Sequence, residues 1–265
     1  MESLVSYLAI GAIAGLFSGL FGIGGGIIVV PLLHYMFKPL FPEAAITQLA
    51  VGTSLAIMMF TSLSSAFAYY RHQLISVAVF LKLIPGILLG TLIGTFITGH
   101  ITSEILLQAF AFFLFFVGLN LLFPIKMIMR QTLPEWYFLI IITSMIGICS
   151  GLFGVGGGSL IVPLLVFCNI EIHRAAGTSA LCGVPFSILG TLSMIYIGHT
   201  TIMCNQPPLP PGTTGFVYWP AALSVAITSM MFAPLGTKLS VWLSGNILKK
   251  MFGLVLIATG IKLIL

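Results

Sequence analysis

Two glycine clusters carry the most specific chemistry in this sequence. Gly22, Gly24, Gly25 and Gly26 spell G-x-G-G-G, and Gly154, Gly156, Gly157 and Gly158 spell it again. Each cluster interrupts a long apolar run, and a proline, Pro31 or Pro163, follows it. Glycine weakens a helix by about 1 kcal/mol per residue relative to alanine, so a triplet breaks one. A break at membrane depth exposes backbone N–H groups, and the short helix that restarts after it points its positive end the same way. That arrangement receives anions. The competing use of the same glycines is close packing of helices through small residues.

Hydroxyls recur beside the clusters. Gly52-Thr53-Ser54 follows the first and Gly177-Thr178-Ser179 follows the second. Such hydroxyls can donate to an oxyanion without adding charge, or bond a carbonyl of their own helix. Ser159 stands where the first half has Ile27 and breaks the symmetry of the pair. The candidate substrate-binding residues are therefore Gly24, Gly25, Gly26, Thr53, Ser54, Gly156, Gly157, Gly158, Ser159, Thr178 and Ser179. Either Gly25→Ala or Gly157→Ala is expected to impair transport more than it impairs folding.

Carboxylates inform by their absence from the interior. Glu2, Glu43, Glu104, Glu135 and Glu171 all lie at segment ends, and the chain has no Asp. Carriers of protons or sodium usually keep an intramembrane carboxylate, so a small anion is the expected partner. Lys82 is the one charge well inside an apolar segment; it either snorkels to the surface or attracts the anion. The histidines lack metal-ligand spacing, and the cysteines read as small buried hydrophobes. No metal, cofactor or nucleic acid is expected, and no nucleophile or phosphate-loop motif suggests an enzyme.

These residues must be positioned by membrane helices. Hydrophobic residues make up 59% of the chain and charged residues 6%, against about 25% charged in a soluble domain. Lipid is then the solvent, and the expected fold is an all-α polytopic membrane protein in the cell membrane. The N-terminal run lacks a basic leader pattern and reads as the first membrane segment. Self-association into a homo-oligomer stays open.

The chain reads as two copies of one unit. Residues 15–33 and 147–165 are identical at 13 of 19 positions with an offset of 132. The glycine-threonine-serine triplets form a second match, and residues 106–123 against 248–265 form a third. The expected division is a first repeat at 1–125, a cytoplasmic linker at 126–135 and a second repeat at 136–265. Apolar segments fall at about 3–37, 45–70, 74–98 and 103–123, then 136–168, 173–197, 216–243 and 248–265. The first of each set is too long for one span and too short for two. Each reads as a glycine-broken helical hairpin, followed by three transmembrane helices.

Basic residues support the hairpins. If each broken segment returns to its own side, Arg71, Lys82, Lys126, Arg130, Arg174, Lys238, Lys249 and Lys250 share one face, with Lys38 and Lys262 opposite. That is a normal positive-inside distribution. It makes the two homologous repeats inverted, with both termini outside. Parallel repeats with eight spans remain the alternative. The stretch after His199, rich in proline and glycine, reads as an external connector or lid over 200–215.

The paired GLFGIGGG-x4-PLL and GLFGVGGG-x4-PLL segments, each followed by GTS, resemble the TauE/SafE sulfite-exporter family of membrane permeases. The resemblance runs over nearly the whole chain. It implies a secondary transporter for a small sulfur-containing anion such as sulfite, an organosulfonate or a thiosulfate-like species. The proline-rich loop has no counterpart in the first half and departs from the repeat pattern. An inside-negative potential drives an anion outward, so export needs no ATPase. A permease for another small anion such as a carboxylate, or a non-transporting scaffold, are the other readings.

Overall fold

The computed structural model describes residues 2–22, 24–122, 134–205, 211–242, 250, 253–254 and 256–261. Most of the expected linker, 126–133, lies outside the described residues. The described chain is almost entirely helical. In chain order the helices are α1 (Glu2–Phe21), α2 (Gly26–Phe37), α3 (Ile46–Arg71), α4 (Val77–His100), α5 (Ser103–Leu122), α6 (Trp136–Phe153), α7 (Gly158–Phe167), α8 (Ile172–Asn205) and α9 (Trp219–Trp242). Further helical residues follow at 253–254 and 256–261. Among the described residues, six helices are long and apolar enough to cross a membrane: α3, α4, α5, α6, α8 and α9.

Both broken segments fold as the glycines dictate. α1 stops at Phe21 and α2 restarts at Gly26; α6 stops at Phe153 and α7 restarts at Gly158. Gly22 and Gly154 terminate α1 and α6 in the left-handed region, at φ 66° and 61°, which glycine occupies without Cβ strain. α2 and α7 are 12 and 10 residues long, about 18 and 15 Å, and neither spans a bilayer core of about 30 Å. The prolines sit inside them, at Pro31 and Pro163.

α3 and α8 form the centre, and α3 is the more deeply enclosed. Gly52 meets Met194, Leu55 meets Gly190, Ser62 meets Gly183 and Tyr69 meets Gly177, so the two helices run antiparallel. Parallel eight-span repeats would run them in the same direction. Outside this pair, α1 lies along α9 and α4 lies along α6. Both contacts are made through glycine. Gly11, Gly15 and Gly19 abut successive turns of α9, and Gly86, Gly90 and Gly94 abut α6. Backbones that close gain van der Waals contact, which must drive association where lipid tails are as apolar as leucine.

The basic residues separate by end. Leu74 lies against Gly177 and Tyr69 reaches Ser240, which brings the ends bearing Arg71, Arg174 and Lys238 together. Phe37 and Phe41 pack edge-on against Tyr218 at the other end, beside Lys38. Lys82 is exposed on α4, as a snorkelling side chain is and an interior attractant is not. Three carboxylates sit where helix dipoles favour them: Glu104 in the first turn of α5, with Glu135 and Glu171 just ahead of α6 and α8.

The second-half connector differs from expectation. Helix α8 continues to Asn205, so His199 and Cys204 belong to it and not to a loop. Pairing of β1 (Thr213–Thr214) with β2 (Val217–Tyr218) makes a short antiparallel hairpin. Its Phe216 and Val217 are buried, and the Phe216 amide donates to Met194 O at 3.2 Å. The connector is not a free flap at this point: it is packed against α3 and α8. Hydrophobic residues in a short segment were the available signal, and the prolines ahead of them obscured it.

Candidate functional site

The two breaks meet. A Cβ on Gly26 would collide with the Gly154 carbonyl oxygen and lie 3.0 Å from the Val155 Cα. The N-terminus of α2 therefore meets the second break, just past the end of α6, inside the protein. No side chain caps the start of α2 or of α7. Both helix starts carry the partial positive charge of a helix N-terminus, though turn bonds such as Ile28 N–H to Gly25 O and Leu160 N–H to Gly157 O take up part of their donors. The described carboxylates all sit at other helix starts, so none offsets that charge.

The breaks are not copies of each other. In the first, Gly24 and Gly25 follow Gly22 in the left-handed region, at φ 75° and 81°. In the second, Gly154 alone takes positive φ among the described residues, and Gly157 sits at φ −46° in ordinary helical space. Gly25 and Gly157, at matching positions of the motif, differ in conformation. A Cβ on Gly25 would strain the backbone and approach Ala14 O at 2.9 Å; one on Gly157 meets the flexible tip of Ile161 at 2.6 Å.

The hydroxyls act across the halves. Ser54 on α3 donates to Gly154 O at 2.9 Å, in the second break. Ser179 on α8 donates to Gly22 O at 3.2 Å, in the first. Thr53 accepts the Tyr218 amide at 3.0 Å, just before α9. Thr178 accepts the Ser76 amide at 3.1 Å, just before α4. All four are buried. Each glycine-threonine-serine triplet thus satisfies backbone groups that the opposite half leaves open at a helix end or start, which membrane interiors require. Repeats of the triplet were legible in the sequence; partners a hundred or more residues distant were not.

Three further residues complete the junction. Tyr69 on α3 donates to Gly19 O at 2.7 Å and so takes a carbonyl from the last turn of α1. Met58 lies against both Gly24 and Gly26, with its methyl 2.7 Å and its sulfur 2.8 Å from where their Cβ atoms would stand. Ser62 lies against Gly24 from the same helix. Sequence reasoning passed over all three, because a tyrosine, a methionine and a serine on an apolar helix carry no spacing signal.

Comparison with known proteins agrees with this architecture. The family model described as sulfite exporter TauE/SafE matches residues 7–263. A protein from Haemophilus influenzae, described as a probable membrane transporter, is 34% identical over 260 residues, covering 97% of both chains. A protein of the same description from Methanocaldococcus jannaschii is 28% identical over 266 residues, covering 97% of this chain and 94% of its own. Another from Bacillus subtilis is 29% identical over 223 residues, covering 74% and 80%. No solved structure matches the chain.

Proposed function

The chain belongs to the TauE/SafE family of membrane transporters, and from that premise we propose that it is a secondary transporter for a small sulfur-containing oxyanion, working in the direction of export. The observation that carries the reading is the junction itself. Two helix N-termini without side-chain caps start from two glycine breaks that touch at Gly26 and Gly154 inside a multi-pass cell-membrane protein. Backbone amides and neutral hydroxyls suit an anion, and a cation would find no carboxylate near them. Gly24, Gly25, Gly26, Gly156, Gly157, Gly158 and Ser159 would border the substrate. Thr53, Ser54, Thr178 and Ser179 would hold that border in place. A potential of 100 mV, inside negative, supplies about 2.3 kcal/mol per charge for efflux, so no enzymatic step is needed.

The test is flux of labelled sulfite, thiosulfate and an organosulfonate from proteoliposomes under an imposed potential, with acetate beside them. Faster efflux of a sulfur anion than from protein-free vesicles supports the reading. Acetate moving instead of the sulfur anions would point to a carboxylate permease. Rates equal to empty vesicles for all four would leave a scaffold packed through the glycines of α1 and α4.

The inverted arrangement of the repeats is part of the same proposal, and the antiparallel run of α3 and α8 supports it. Single cysteines at Gln73 and Leu40, both exposed and at opposite ends of α3, check its orientation in the membrane in a background without the native cysteines. An impermeant thiol reagent added to intact cells is expected to label Leu40→Cys and spare Gln73→Cys. The reverse pattern would turn the molecule over.

A further inference from the structure

The sequence offers Ser62 nothing to distinguish it from the other serines of α3. Its surroundings do. Buried hydroxyls in apolar helices ordinarily bond a carbonyl one turn back, and this chain follows that habit. Thr61 donates to Ile57 O at 3.0 Å. Ser187, which stands in α8 where Ser62 stands in α3, donates to Val184 O at 3.0 Å. Ser65 shares a hydrogen bond with Ser18 at 3.1 Å. Ser62 is 1% exposed, and its Oγ has no hydrogen-bond partner.

That oxygen is aimed at the junction. It lies 2.9 Å from where a Cβ on Gly24 would stand and 2.7 Å from where one on Gly183 would stand. Two glycines, one in the first break and one on α8, leave the notch it occupies. A second hydroxyl shares the condition. Ser159, at the second position of α7, is 3% exposed and its Oγ also lacks a partner. Leaving a buried hydroxyl unpaired costs about 1–3 kcal/mol, and a local carbonyl would remove that cost. Two such oxygens, one beside the first break and one in the first turn after the second, are explained together if a ligand satisfies them.

Resting on the anion reading above, we propose that Ser62 is a specificity-determining donor of the transport site, paired with Ser159 from the opposite half. The substrate class follows from the donors. Two neutral hydroxyls, one contributed beside each break, suit an anion that presents at least two oxygens. The counterparts of these residues are Ser187, already bonded, and Ile27, which has nothing to give. The substrate is therefore held off the axis that relates the two halves.

The experiment compares wild type, Ser62→Ala and Ser159→Ala in proteoliposomes. Sulfite efflux is measured against internal concentration at fixed potential, and thermal midpoints are measured in detergent. Each variant is expected to raise KM for sulfite about tenfold or more, the size of one lost hydrogen bond to a charged group. Thermal midpoints should stay level or rise, because an unsatisfied polar atom has been removed. An unchanged KM in Ser62→Ala, with wild type transporting sulfite, overturns the role of Ser62 and leaves the transport reading standing. A midpoint that falls in step with activity assigns Ser62 to packing and overturns it equally. A wild type that moves none of the sulfur anions overturns the transport reading, and this inference with it.

Discussion

Gly22→Ala is expected to yield almost no folded protein, while Gly157→Ala is expected to fold in near-normal amount. Gly22 ends α1 at φ 66°, a conformation that costs an L-residue about 1–2 kcal/mol. Its new methyl would also collide with the carbonyl oxygen of Ala176, a backbone atom held within α8. Neither α1 nor α8 can withdraw without disturbing the glycine contacts of α1 along α9. The combined penalty should reach the severe range above about 4–5 kcal/mol, against a total stability of about 5–15 kcal/mol. Gly157 has helical φ, and its nearest obstacle is the end of the Ile161 side chain, which can change rotamer. The check is the monodisperse fraction of each variant in size-exclusion chromatography after detergent extraction. Equal yields for the two would mean that the first break does not have the left-handed geometry described. With Gly157→Ala folded, its transport per molecule then reports on the junction alone.

Thr53→Val and Thr178→Val are expected to destabilise the protein by about 1–3 kcal/mol each, the cost of leaving a buried amide without its acceptor. The amides in question belong to Tyr218 and Ser76, at the starts of α9 and α4. Valine keeps the shape and removes the oxygen. At this chain length, each kcal/mol lowers the thermal midpoint by roughly 2–4 °C. Thr53→Ser and Thr178→Ser keep the acceptor and should recover most of the loss. The double valine variant should be close to additive, because the two sites lie at opposite ends of α3 and α8. If the midpoints hold while substrate affinity falls, the threonines face the anion directly, and the positioning role assigned to them is wrong.

Much of this fold could be read before any coordinates. Helix boundaries for α3, α4 and α5 fall within a few residues of the apolar segments, because a bilayer fixes span length and the segments end in charge, glycine or proline. Breaks were legible because three glycines cannot continue a helix. What the sequence concealed was the pairing across halves. The Ser54 hydroxyl could have bonded its own helix, and only the fold brings Gly154 O within 2.9 Å. Two glycines with the same motif position, Gly25 and Gly157, took different backbone conformations that the shared motif does not reveal. The buried strand pair after α8 was hidden by the prolines in front of it, and Ser62 by being an ordinary residue in an ordinary place.

The exchange of hydroxyls between the halves has a consequence for how the molecule is made. A ribosome delivers the first repeat into the bilayer before the second exists. At that moment the Gly22 carbonyl has no Ser179, which lies 157 residues further along the chain, and the Ser76 amide has no Thr178. At translation speeds of about 5–20 residues per second, the delay is on the order of ten to thirty seconds. Through that interval the first break must keep its polar backbone in contact with water, the insertion machinery or a chaperone. The second repeat meets no such wait for its own break: Ser54 is already in the membrane when Gly154 emerges. Expressed alone, the first half should therefore be the protease-sensitive and chaperone-bound species. Adding the second half from a separate transcript should rescue it.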